Sequence, residues 1–349
     1  MSFASLWARL LERLMPAGLR RQVHLHRLIT GSWVGQAVST AAILGLADAI
    51  GDSSRSAADI ARAVGATEDG IYRLLRALAG QGFFNERRPR QFSITPLGRL
   101  LQSDHPDSLR AWAAYNGEGW HWRAWGELAQ SVRTGEPGIA RAPGAGLFDY
   151  LASHADAAAA FDAAMASLSN VRSRALISSL ALHDASSVVD IGGGDGRLIR
   201  AIVEAYPHLR GTVYDLPPVV ERARAAASGE GATERYAFTA GSFFERVPSG
   251  ADVYLLKQVL HDWDDERATQ ILRNCRAAMG PGARLLIIEL VIDESAAGAM
   301  AALSDLEMLA LTGGRERTID QYRALLESAG LRLARVRRTH SPFTILEAR

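Results

Sequence analysis

Val188-Val189-Asp190-Ile191 runs directly into Gly192-Gly193-Gly194-Asp195-Gly196. The β-branched apolar stretch reads as a strand. The glycines after it reach positive φ and let backbone approach a ligand closely. Arg197 to Tyr206 reads as the helix that follows. A strand, a glycine turn and a helix commit this half of the chain to an α/β sheet, because parallel strands need such crossovers. Further short apolar runs alternate with helical segments at Thr212–Tyr214, Val253–Leu256 and Leu285–Val291. The expected fold is a parallel sheet wound with helices from about residue 181 to the end.

The second of these strands ends at Asp215, nineteen residues after Gly196. That is close to the ~20 expected for a carboxylate that binds ribose hydroxyls. A nucleoside-containing cofactor follows, with NAD and S-adenosylmethionine (SAM) both open at this point. The dinucleotide pattern G-x-G-x-x-G fails, since its last glycine would fall on Arg197 or Ile199. Asp190 and Asp195 repel phosphate and suit a cofactor with a sulfonium and an amino acid tail.

The first third reads as helical. Residues 28–47 are uncharged but contain Thr30, Ser32, Gln36, Ser39, Thr40 and glycines. This predicts a buried helix rather than a membrane span. Its apolar face would hold Trp33, Ala37, Ala41 and Leu44. Before it, Arg9, Arg13, Arg20, Arg21 and Arg27 make a basic amphipathic arm. Glu12 and the absence of a Ser-rich character argue against a transit peptide, and no signal peptide is expected. Ser56 is the expected N-cap of the next helix, with Asp59 at capping-box distance. A helix from Thr67 to Leu78, a break at Gly80 and Gly82, and a hairpin of Phe83–Glu86 with Gln91–Ile94 complete the order of a winged helix. As a DNA reader its second helix would offer Arg73 and Arg76 beside Glu68 and Asp69. Net charge is only +1 across 349 residues, so no global field draws nucleic acid. Packing or dimerisation is the expected use. Residues 108–182 form a second helical block carrying Trp112, Trp120, Trp122 and Trp125. The resulting division is 1–105, 106–180 and 181–349. The lone Cys275 forms no internal disulfide, which fits a reducing cytoplasm.

The glycine stretch resembles motif I of class I SAM-dependent methyltransferases. Leu255-Leu256-Lys257-Gln258-Val259-Leu260-His261-Asp262-Trp263 and Gly313-Gly314-Arg315-Glu316-Arg317-Thr318 narrow the resemblance. Together they are similar to the O-methyltransferase family that includes plant caffeic acid enzymes and bacterial natural-product enzymes of the polyketide and phenazine type. The resemblance implies a C-terminal Rossmann-like methyltransferase sheet and an N-terminal winged-helix-like dimerisation domain. It implies SAM as methyl donor, S-adenosylhomocysteine as product, no metal, and a homodimer without nucleic-acid or membrane partners. His261 would be the general base, and a neutral imidazole with a pKa near ~6.5 suits that task. Glu289 and Glu316 match the acids flanking it. A structural alternative for Glu289 is a salt bridge to an arginine, and for Glu316 pairing with Arg315 and Arg317. Gly192, Asp215, Lys257 and Ser169 match cofactor contacts. Ser242-Phe243 matches the pair beside adenine, with Ser242 where the family usually has Asp. Asn116, Trp120, Phe161, Met165 and Met308 would face the acceptor, each with core packing as its alternative. The implied reaction is in-line methyl transfer to a hydroxyl of a small aromatic or polyketide-like metabolite. Relatives that methylate nitrogen, hydroxylate or decarboxylate are the first alternative, and a winged-helix regulator the second.

Overall fold

The computed structural model describes residues 15–141, 144, 146–227 and 235–349, apart from the side chains of 169–175 and 226–227. They form two compact units that meet in sequence at Gly117 and Glu118.

The first unit begins with helices α1 (Ala17–Ile29) and α2 (Gly31–Ile43). They correct the expectation of one buried helix over residues 28–47. Thr30 separates the two helices, and α1 buries no residue at all. Trp33 is 71% exposed, and Leu28, Ile29 and Ile43 are also largely exposed. The apolar face is present, but within one chain only part of it is covered. Arg9 and Arg13 lie outside the described residues. Next come α3 (Leu46–Ile50), β1 (Arg55–Ser56), α4 (Ala57–Val64), α5 (Glu68–Gly80), β2 (Phe84–Arg88), β3 (Gln91–Ile94), α6 (Pro96–Arg99) and α7 (Arg110–Asn116). The Ser56 hydroxyl caps α4 by accepting from Asp59 N at 3.1 Å. The reciprocal bond differs from a capping box, because the Asp59 carboxylate accepts from the Ser56 hydroxyl instead of the backbone. The strands form a three-stranded antiparallel sheet in the order β1-β3-β2. Ile60, Ile71, Leu75, Leu78, Phe84 and Phe92 fill the core between the helices and this wing.

The second unit opens with α8 (Gly119–Gly126), α9 (Leu128–Thr134), α10 (Leu147–Ser153) and the long α11 (Ala155–Ile177). The sheet region follows as β4 (Ser187–Ile191), α12 (Arg197–Ala205), β5 (Arg210–Asp215), α13 (Pro217–Ala227), β6 (Tyr236–Ala240), β7 (Val253–Lys257), α14 (Asp265–Ala278), β8 (Arg284–Glu289), α15 (Ala296–Leu311), α16 (Ile319–Ser328), β9 (Leu333–Arg338) and β10 (Thr344–Ala348). Seven strands pair in the order β6-β5-β4-β7-β8-β10-β9. The first five are mutually parallel, and β10 runs antiparallel to both of its neighbours. β8 stops at Glu289, two residues short of the expected end, and Val291 makes only an isolated bridge with Arg317.

A strand covered on both faces should be apolar at every position. β8 shows this: Leu285 and Ile287 enter one core, Leu286 and Ile288 the other, and all four are fully buried. Each such side chain contributes ~1.5–3 kcal/mol by leaving water. The strand order reverses beside β4, the first strand. Ligands of open α/β sheets sit at that crevice, outside the carboxyl ends of the strands. Among the described residues, no helix is long and apolar enough to cross a membrane.

Candidate active site

The carboxyl ends of β4 to β8, with the loop after α15, hold every predicted catalytic and cofactor residue except Ser169. After β4, Gly192, Gly194 and Gly196 all take positive φ, at 70°, 57° and 77°. A Cβ on Gly192 would meet Val259 Cγ2 at 2.9 Å, and one on Gly193 would meet the Asp190 carboxylate at 2.9 Å. At Gly194 a Cβ would meet nothing within 4 Å. The turn is thus packed from below and open above, which fits a ligand laid along its backbone.

Asp215 closes β5 beside this turn. Its two oxygens accept from Gly194 N at 2.9 Å and Leu216 N at 2.7 Å. Each keeps a second lone pair for a hydroxyl. Burial raises the Asp215 pKa, and the two amides work against that rise. Asp190, almost fully buried, is pushed by burial to about 7 despite the opposing charge of Lys257. Asp195 is engaged by Arg197, whose Nε donates at 2.6 Å. Phe243 also reaches the glycine turn, 3.7 Å from where a Gly192 Cβ would stand. The Ser242 hydroxyl accepts from Phe244 N. Lys257 ends β7 with its ammonium 5.3 Å from the centre of the Phe343 ring. These donors, hydroxyls and carboxylates fit an adenosyl group with an amino acid tail. The Ser169 side chain lies outside the described residues.

Beyond Lys257 the chain turns sharply, with Gln258 at φ +52°. A single 3₁₀ turn, Leu260–Asp262, then presents His261. Its Nδ1 is 2.9 Å from Glu316 Oε1 and 3.8 Å from Glu289 Oε2. Nothing among the described residues hydrogen-bonds its Nε2, and the nearest carboxylate there, Asp262, stands 3.7 Å away. Glu289 meets no arginine among the described residues. Its Oε1 accepts from Val259 N at 3.1 Å and Leu260 N at 3.0 Å, so the carboxylate caps the turn that carries the histidine. Glu316 does not pair with its flanking arginines either. Ser304 donates to it at 2.8 Å, and Asp305 accepts from its backbone N at 2.8 Å.

The expectation of an ordinary imidazole pKa is corrected here. Burial disfavours the charged ring, but the carboxylates of Glu289, Asp262 and Glu316 outweigh it and raise His261 to about 10. Burial in turn lifts Glu289 to about 7 and Asp262 to about 6. His261, Glu289 and Glu316 each offer an atom within 4.8 Å of the others, a spacing also open to a cation.

Arg317 is the positioning residue that the sequence reading missed. It is buried, donates to Leu260 O at 2.9 Å and Trp263 O at 2.8 Å, and pairs with Asp265 at 2.8 Å. It therefore brackets the His261 turn from both sides. Gly314 lets the loop come that close: a Cβ there would stand 2.0 Å from His261 O. The signal was the charge alternation Arg-Glu-Arg, in which the middle acid and the outer base turn to different partners.

Among the acceptor candidates, Met308 is buried on α15, one turn beyond Ser304. Trp120 is buried on α8, edge-on to His121 and tilted against Tyr150. Phe161 and Met165 are half-buried on α11, which Asp162 ties to α13 through Arg222 at 2.9 Å. Asn116 belongs to the first unit and donates to Trp112 O, one turn back on its own helix. In the winged helix, Arg73 lies 3.9 Å from Asp69 and Glu68 pairs with Arg90 at 2.6 Å.

Residues 26–104 match the O-methyltransferase dimerisation domain, and residues 125–332 match the O-methyltransferase domain. The chain is 39% identical to phenazine O-methyltransferase PhzM of Lysobacter antibioticus, over 93% of this chain and 95% of that protein. It is 35% identical to 8-amino-8-demethylriboflavin N,N-dimethyltransferase of Streptomyces davaonensis, over 88% of this chain and 89% of the other. Among solved structures, an O-methyltransferase from neocarzinostatin biosynthesis, in complex with SAM and 2-hydroxy-5-methyl naphthoic acid, superimposes with a TM-score of 0.78. Identity is 35%, covering 90% of this chain and 95% of that one.

Proposed function

This chain belongs to the O-methyltransferase family, and on that premise we propose that it transfers the methyl group of SAM to a hydroxyl of a small aromatic or polyketide-like secondary metabolite, with His261 as general base. One observation carries the reading: Nδ1 of His261 is held by Glu316 at 2.9 Å, while Nε2 is left clear of protein hydrogen bonds among the described residues. A ring fixed on one side and open on the other suits proton exchange with a bound hydroxyl.

Asp215 takes the ribose hydroxyls in this reading, and the Gly192 turn lies along the methionine part. Ser169, Ser242, Phe243 and Lys257 complete the holding set. When bound, SAM supplies an electrophilic methyl carbon. The chain's own residues then manage one proton. Glu316 and Glu289 stabilise the imidazolium, and Arg317 and Gly314 keep the His261 turn in place. With a pKa raised to about 10, His261 either takes the hydroxyl proton or, already protonated, draws the acceptor in as its anion. Both routes reach the same reacting pair, an imidazolium facing an oxyanion. Holding two reactants in near-attack geometry contributes ~7–11 kcal/mol of the barrier reduction.

Phe161, Met165, Trp120 and Met308 are proposed to face the acceptor. The phenazine, demethylriboflavin and naphthoic acid named for relatives are flat fused rings, which matches this apolar set. The riboflavin relative methylates nitrogen. A neutral amine is nucleophilic enough to attack and sheds its proton afterwards, whereas a hydroxyl oxygen becomes a good nucleophile only as it loses its proton, so the built base favours oxygen. The dimerisation domain and the exposed Leu25, Leu28, Ile29 and Trp33 support a homodimer.

The test is transfer of labelled methyl from SAM to a panel of phenolic, phenazine and naphthoate acceptors, with the labelled atom located by NMR. Label on oxygen is expected. Label on nitrogen would overturn the oxygen assignment, and no transfer to any acceptor would overturn the methyl-transfer reading itself. The mechanism uses no metal, so enzyme dialysed against EDTA should keep its full rate. A loss restored by added divalent ion would assign His261, Glu289 and Glu316 to a cation instead.

A further inference from the structure

At the opposite end of β8 from Glu289, five arginines ring one open cavity of about 370 Å³. Arg284 begins β8, Arg335 and Arg337 lie on the edge strand β9, and Arg332 and Arg349 form a backbone-bonded rung just past the strand ends. Five residues of strand, at ~3.3 Å each, separate Arg284 from the proposed active site by about 17 Å.

The carboxylates here do not balance the arginines. Glu347, within the cavity, pairs with Arg349 at 2.9 Å and more loosely with Arg337 at 3.6 Å. Asp184 holds Arg284 through two bonds of 2.7 and 2.9 Å. Arg332 and Arg335 have no ion pair among the described residues and are exposed. The Nε atoms of Arg284 and Arg337 are buried and without a hydrogen-bond partner there. Burial, together with the charges of Arg335 and Arg284, pulls the Arg337 pKa below its ordinary value. Cations crowded into a concavity with too few carboxylates attract an anion.

We propose that this cavity binds a small multivalent oxyanion, of the polyphosphate or nucleotide-phosphate class. Guanidinium forks match phosphate oxygens two at a time. The cations surround one concavity instead of running along a face, so the fit is to a compact anion and not to a polymer. Arginine on an edge strand also discourages sheet-to-sheet pairing. That role needs charge only on β9 and does not account for Arg332 and Arg349, which lie past the strand ends.

Calorimetric titration of sodium tripolyphosphate into the full-length protein tests this. Binding at low salt is expected, weakening as salt rises. Arg332→Glu with Arg335→Glu changes only exposed side chains and should weaken binding at least about tenfold, with methyl transfer and S-adenosylhomocysteine affinity retained. Arg62→Glu with Arg73→Glu, exposed arginines of the first unit, should leave binding unchanged. No binding, equal loss in both variants, or binding of heparin without tripolyphosphate would each overturn the proposal.

Discussion

A histidine near neutrality is usually a switch, but the setting of His261 makes it a store of positive charge. Its folded pKa of about 10 lies above the free value of 6.5, because three carboxylates outweigh the cost of burial. Between those values the native state holds a proton that the unfolded chain has released. Stability from this site is therefore complete below about pH 6.5 and is lost as pH rises through about 10. The melting temperature of wild type should fall more steeply across that window than that of His261→Gln. Parallel slopes would show that the carboxylates do not hold the proton. For catalysis, His261→Ala should cut turnover by ~10²–10⁴-fold. S-adenosylhomocysteine affinity, measured by calorimetry, should stay near wild type, since His261 is not among the proposed cofactor contacts. Unchanged turnover would remove the base from the mechanism.

Elements earn their place here through what they hold at their ends. β7 delivers the chain to the His261 turn, the end of β8 caps that turn through Glu289, and the loop after α15 clamps it through Gly314 and Arg317. A methyl group at residue 314 has no room beside His261 O, so Gly314→Ala must push the loop away from the turn. Overpacking of this kind costs ~1–3 kcal/mol of stability. The larger expected effect is on kcat, a drop of ~10-fold or more from misplacing the base, with KM for SAM little changed. Urea denaturation and steady-state kinetics on the same preparation would separate the two. A variant with normal kcat would show that the loop has slack.

At the level of the whole molecule, α1 and the start of α2 leave a run of large apolar side chains in water within one chain. Leu28, Ile29 and Trp33 are each at least 64% exposed, and the matched dimerisation domain begins at residue 26. A second copy is the proposed cover. Size-exclusion with light scattering should report a dimer at micromolar concentration, and Leu28→Glu with Ile29→Glu should shift it to monomer. A wild-type monomer would contradict the dimer, and a dimeric double variant would move the interface elsewhere.

Local chemistry was legible in the order of residues. The glycine turn, the acid that ends the next strand, and the histidine after β7 all sit in short segments whose backbone geometry follows from their own composition. Continuous apolar runs marked the central strands, while β6, β9 and β10 went unread, because exposed positions on β6, arginines on β9 and Glu347 on β10 interrupt that signal. The uncharged run of residues 28–47 misled for the converse reason: an apolar face says that something will cover it, not that the same chain will. What only the tertiary structure decided was pairing between distant residues. Glu289 and Glu316 stand 28 and 55 residues from His261, and whether each would meet an arginine, an amide or the imidazole depended on loops converging at one sheet edge. The raised pKa of His261 has the same origin. A pKa reports the charges and burial around a group, and those exist only once the chain has folded.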